Sequence, residues 1–152
     1  PIAPVLVGAG PERGLRPGTE NVASIVGLGA AAELLAIEPV RQQELREQLW
    51  KGLSTVIPDL VRVSPEEGCL PNTLMVAVPG RIGSDILDAA DSVAASTGSA
   101  CHSGVHTPAQ TLLEMGIEPD TALGALRLSL GRSTTEEDIR TVIDALTSVL
   151  AR

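Results

Sequence analysis

Cys101 lies in STGSACHSG, residues 96–104, flanked by Gly98, Ser99, Ala100, Ser103 and Gly104, with His102 beside it. Core cysteines sit among aliphatic residues, whereas small polar residues punctuated by glycine make an exposed loop. A loop gives a thiol access and room to move, and a positively charged His102 favours the thiolate that does the attacking. Three uses fit that setting: a nucleophile, a zinc ligand with His102 and His106, or an unreactive loop residue. A lone C-H-x3-H lacks the tight, repeated ligand pairs of zinc sites, so no metal is expected. Cys69, in EEGCLPN ahead of a strand, has no His or Arg close to it in sequence and reads as inert.

Two other segments carry chemistry. In ALRLSL, strand alternation places Leu126, Leu128 and Leu130 on one face and Arg127 with Ser129 on the other. A guanidinium projecting from a strand is a fixed fork suited to bidentate capture of a carboxylate, unless the strand face is simply solvated. Arg132, after Gly131, reads as a turn or helix-start charge. In GPERGLRPGTEN a glycine-rich loop runs into a helix, where free backbone N–H groups and the Thr19 hydroxyl suit a phosphate; the plainer reading is a capped loop.

The composition sets the bounds. A chain of 152 residues has room for one medium domain, or a small domain with an appendage. A formal charge of -8, a single lysine (Lys51), no Phe or Tyr and one Trp (Trp50) leave neither the cationic surface nor the stacking groups that nucleic acid needs. No apolar run approaches the roughly 20 residues of a membrane span, and no signal-peptide pattern is seen. Two cysteines make no disulfide framework, and a reducing cytoplasm is the expected compartment.

These segments need a frame. A short strand is expected over 5–7, then a helix from Glu20 with Thr19 as N-cap, in which Gly27 and Gly29 mark close packing. After Pro39 an amphipathic helix follows, with Val40, Leu45, Leu49, Leu53 and Val56 inward. Strands are predicted over 61–63, 73–78 and 93–96, with a helix over 83–90. Short helices over 108–115 and 120–123 lead to a strand over 125–130. A last helix is capped by Thr134, has Glu136 and Glu137 in its first turn, and buries Ile139, Val142, Ile143, Leu146 and Leu150. The pattern is that of an α+β sandwich.

Taken in order, ERGLRPGTENVASIVGLGAAAEL, STGSACHSG and LRLSLGRSTTEEDI resemble the pyridoxal-phosphate-dependent cysteine desulfurases and selenocysteine lyases of the fold-type I, class V aminotransferase group. The resemblance covers nearly the whole chain. It implies an α/β fold. Residues 1–38 would close the large pyridoxal-phosphate domain with its dimer-interface loop, and 39–152 would form a small domain of mainly antiparallel sheet covered by helices. It implies Cys101 as the nucleophile that takes sulfur from L-cysteine as a persulfide and leaves alanine. Arg127 would grip the substrate carboxylate, and Arg16, Gly18 and Thr19, with Arg13, would meet the cofactor phosphate across a homodimer interface. A protein accepting the sulfur, for iron–sulfur cluster assembly or another transfer, is the implied partner.

His102 departs from the small hydroxyl residue usual in the desulfurases, and an A-C-H-S run also occurs in selenocysteine lyases, so L-selenocysteine is the alternative substrate. The Schiff-base lysine has no match: Lys51 follows Trp50 on an amphipathic helix, outside any Ser-His-Lys context. The chain, opening on Pro1, therefore reads as the C-terminal portion of such an enzyme, inactive alone. The remaining alternative is a non-catalytic module that accepts persulfide or dimerises.

Overall fold

The computed structural model describes residues 3–35, 39–97 and 106–151. Two units make up the chain, Pro1–Ile37 and Glu38–Arg152. In the first, a 3-10 turn at Glu12–Gly14 precedes helix α1 (Val22–Leu35). The strand expected over 5–7 does not form. Val5, Leu6 and Val7 are exposed, with no neighbouring strand among the described residues to take up their backbone hydrogen bonds. Asn21, not Thr19, caps α1: its Oδ1 accepts from the Ser24 amide at 3.1 Å. A capping side chain must reach an amide two or three residues on, and with α1 starting at Val22, Thr19 is too far upstream.

The second unit holds α2 (Pro39–Val56), β1 (Val61–Arg62), β2 (Thr73–Ala77), α3 (Gly83–Asp88), α4 (Gln110–Glu114), α5 (Pro119–Leu123), β3 (Ala125–Ser129) and α6 (Glu136–Leu150). The strands make one antiparallel sheet in the order β1-β2-β3, with Leu74 opposite Leu128, Met75 opposite Arg127 and Val76 opposite Leu126. Alternation sorts their side chains. Leu74, Val76, Leu126 and Leu128 face a core completed by Leu49 and Leu53 of α2, Ile86 of α3 and Ile139 and Leu146 of α6. Met75, Ala77, Ala125 and Arg127 share the other face, where Leu112 of α4 and Ala122 of α5 cover the end at Ala77 and Ala125. A small antiparallel sheet under helices is the α/β class the sequence predicts.

Three local expectations are corrected. The segment 93–96 contributes only a bridge, Ser96 with Arg127, instead of a strand. On α2, Leu45, Leu49 and Leu53 are buried, but Val40 and Val56 are exposed. At about 100° per residue, Val40 falls on the side of the helix opposite Leu49, and Val56 lies in its last turn. Thr135, not Thr134, caps α6: its hydroxyl accepts from the Asp138 amide at 3.2 Å while Asp138 accepts from the Thr135 amide at 2.8 Å. Those bonds hold the Asp138 carboxyl below its usual pKa, the Thr135 amide being the larger cause.

Arg46 is the buried charge of α2, only 2 % exposed. Its guanidinium donates to Glu47 Oε1 at 2.8 Å, to the Leu70 and Glu66 carbonyls at 2.9 and 3.2 Å, and to Cys69 Sγ at 2.8 Å. Glu47 also accepts two bonds from Arg62, at 2.7 and 2.9 Å, and Arg62 lies 5.4 Å from the centre of the Trp50 ring. A buried guanidinium is tolerable when its donors are satisfied, and this arrangement ties β1 and the 64–70 loop to α2. The Arg62 hydrogen bond, foremost, holds the Glu47 carboxyl below its ordinary 4.5; Arg46 helps and partial burial opposes.

A depressed carboxyl stabilises the fold above its unfolded pKa and loses that effect as pH falls through the lower folded value. Urea unfolding should therefore show Glu47→Gln less stable than wild type at pH 7, by about 1 kcal/mol or less because the 41 % exposed carboxylate is screened by water. The two curves should converge as pH falls through the lowered carboxyl value. A gap that persists unchanged in acid would contradict the account.

Candidate active site

Arg127 stands at the middle of β3, on the sheet face opposite the main core, because β3 alternates. Leu126 and Leu128 are buried, Arg127 and Ser129 exposed. Met75 of β2 lies directly opposite it, and on the other edge of β3 the Ser96 amide donates to the Arg127 carbonyl at 3.3 Å while the Arg127 amide donates back to Ser96. The backbone N–H and C=O of Arg127 are thus both taken up by Ser96, and Met75 faces it as a non-hydrogen-bonded pair. Its guanidinium has no hydrogen-bond or ion-pair partner among the described residues.

Cys101 and His102 lie outside the described residues, as does all of 98–105. The two ends of that segment are placed. At one end, Ser96 is bridged to Arg127 and Thr97 packs near Gly83; a Cβ on Gly83 would run into the Ala125 carbonyl and press on Thr97 Cγ2. At the other, His106 Nδ1 is 3.1 Å from Ser84 Oγ, and its Nε2 is 3.9 Å from Asp85 Oδ1, both on α3. One end of the cysteine segment is therefore fastened to β3, the strand that carries Arg127, and the other to α3.

A cavity of about 290 Å³ opens beside Arg127, walled by Val63, Met75, Ala109, Leu112 and Met115. The sequence reading missed it, because its walls come from β1–β2, α4 and the turn after α4, and nothing in residue order joins them. Cys69 is not isolated either: the Arg46 guanidinium that sequence distance concealed lies against its sulfur, and the thiol itself donates to the Pro65 carbonyl at 3.1 Å. Arg46 was legible in part, since it stands at i, i+3, i+7 with Leu49 and Leu53 on the apolar stripe.

In the first unit, Gly18 has φ +109°, a left-handed conformation that glycine adopts without strain. Arg16 Nη1 donates to the Thr19 carbonyl at 3.4 Å, so Arg16, Gly18 and Thr19 form one exposed turn, a fit for an anionic phosphate. Arg13 sits in the preceding turn at positive φ. A pyridoxal ring is another matter. The one lysine, Lys51, is exposed on α2, and the one aromatic ring, Trp50, has Arg62 over it. Among the described residues there is no seat for the ring or its aldehyde.

Residues 7–142 match the family model described as aminotransferase class-V. The chain belongs to the aminotransferase class-V family. Pyridoxal phosphate is the cofactor of this family. Among curated relatives, the chain is 37 % identical over 153 residues to a selenocysteine lyase of Xenopus laevis, covering 94 % of this chain and 36 % of the relative. It is 40 % identical over 155 residues to the cysteine desulfurase NifS of Azotobacter vinelandii, covering 98 % and 39 %. The solved structure of a NifS-like protein from Rickettsia africae superposes with a TM-score of 0.83 at 29 % identity, covering all of this chain and 41 % of that one. The chain thus spans well under half the length of these relatives.

Gly83→Ala should force α3 away from Ala125 and Thr97, costing about 1–3 kcal/mol. Hydrogen exchange should show faster exchange of the Ser96 and Arg127 amides than in wild type. Unchanged exchange at both would mean that Gly83 does not hold this junction together.

Proposed function

We propose that this chain acts within a cysteine desulfurase, providing the thiol that takes the sulfur and the guanidinium that grips the substrate. The supporting observation is the Arg127 guanidinium, without a partner among the described residues and fixed on the strand to which one end of the Cys101 segment is bridged, in a chain of the class-V family. Arg127 holds the substrate's α-carboxylate by paired N–H donors and so fixes where its sulfur lies. The Cys101 thiolate attacks that sulfur: a sulfur–sulfur bond forms, the carbon–sulfur bond breaks, and the carbon keeps the electron pair and takes a proton, giving alanine. His102, when protonated, favours the thiolate beforehand. The lysine and the ring-binding groups come from a larger protein of which this chain is a part.

The exposed turn of Arg16, Gly18 and Thr19 fits a phosphate contact of the partner subunit, and the apolar side chains that α1 exposes, Val22, Ile25, Val26 and Leu28, support a homodimer. The persulfide then passes to an acceptor protein, in the cytoplasm on the evidence of cysteine usage. Selenocysteine lyase is the second reading, favoured by the Xenopus relative and by His102 after the cysteine. Turnover of the two amino acids by the intact protein separates them.

In the intact protein, Cys101→Ser should lower sulfur release from cysteine by about a thousandfold. Arg127→Gln should raise KM for cysteine about ten- to a hundredfold, the worth of a hydrogen bond to a charged group. Sulfur release by Cys101→Ser at the parent rate would remove the nucleophile from this scheme, and an unchanged KM in Arg127→Gln would remove the carboxylate grip.

A further inference from the structure

The cavity beside Arg127 has a composition that the grip on a small sulfur amino acid does not require. Its volume, about 290 Å³, lies near the lower end for small-molecule pockets, enough for a molecule of amino-acid size. Most of its wall is apolar, from Val63, Met75, Ala109, Leu112 and Met115, with Thr111 contributing a hydroxyl. The Ser64 hydroxyl, also at the wall, already accepts the Met75 amide at 2.7 Å. The charged group at the cavity is the Arg127 guanidinium, which no described side chain neutralises. Both methionines of the chain, Met75 and Met115, face this one space.

We infer that this cavity is a binding site for a carboxylic acid bearing an aliphatic branch, its carboxylate on Arg127 and its branch against Met75, Met115 and Leu112. The inference rests on the reading of Arg127 as a carboxylate grip and adds a selector to it. Sugars and nucleotides present many hydroxyls or extended charge, and beyond Arg127 the wall has only the Thr111 and Ser64 hydroxyls to pair with them, the latter already engaged by the Met75 amide. An aliphatic acid satisfies both halves of the site, the cation by paired hydrogen bonds and the walls by removing apolar surface from water. Methionine suits such a wall, since its unbranched, polarisable chain adapts to irregular apolar guests. Met75 thereby becomes a specificity-determining residue, directly across the strand pair from Arg127. Aliphatic acids then compete with the sulfur substrate for the same guanidinium.

The test uses the 152-residue chain labelled with 13C at the methionine methyls, which gives two signals, both at the cavity. Titration with 4-methylpentanoate should move both signals saturably. Its affinity should exceed that of acetate about tenfold or more, the gain expected from burying several methylenes. Met75→Ser should reduce that preference to about threefold or less while leaving acetate affinity unchanged, and Arg127→Gln should weaken both acids about tenfold. Equal affinities for the two acids in wild type, with Arg127→Gln weakening both, overturns the selector and leaves the carboxylate grip standing. Unmoved methyl signals, or 4-methylpentanoate binding that Arg127→Gln does not change, also overturns it; the KM of the intact Arg127→Gln protein reports on the grip separately.

Discussion

The antiparallel pairing of β2 with β3 is the constraint on which the second unit depends. A register that sets Leu74 against Leu128 and Met75 against Arg127 leaves no freedom over which side chains go inward. A slip by one residue would send Arg127 into the leucine core and bring the leucines to solvent, so core and site are specified by the same hydrogen bonds. The close approach of Gly124 to the Val78 backbone, where any Cβ would collide with the Val78 carbonyl, fixes the start of β3 against the end of β2. The core has almost no aromatic surface, and Leu, Val and Ile from α2 and α6 supply what large rings would otherwise contribute.

Charge is handled differently on the two faces. Behind the core, Arg46 and Arg62 share Glu47, and each donor finds a carbonyl, a carboxylate or a sulfur. At the open face, Arg127 is left without such neighbours among the described residues. The contrast separates a guanidinium that holds the fold from one with no partner among the described residues, mounted on a strand whose backbone is bonded to Ser96.

Much of this was legible in residue order. ALRLSL announces both the strand and the outward Arg127, and the stripe from Ile139 to Leu150 announces α6, because period-2 and period-3.6 patterns report burial directly. What failed depended on partners far along the chain. Residues 5–7 have strand-like composition but no strand to pair with among the described residues, and 93–96 is bridged to β3 through Ser96. Thr134 and Thr135 each have an acid three residues on; Glu137 is drawn instead to Arg140 at 2.7 Å, which leaves the box to Thr135 and Asp138. The Cys69 contact with Arg46 joins residues 23 apart through a loop whose path no local pattern encodes. At the site, Arg127 could be read from alternation, while its cavity emerges only when α4 is folded over β2.

The placement of both thioethers at one cavity has a chemical corollary. Peroxide converts methionine to the sulfoxide, a polar and chiral group, and exposed methionines react first. In this chain that change would fall on the walls beside Arg127 and on the small alanine and leucine cluster that Met75 packs against, and not in the main core under α2 and α6, because Met75 and Met115 are the only two methionines. Oxidative damage would then register as altered ligand choice while the scaffold of leucine and valine stayed intact, and methionine sulfoxide reductases would reverse it.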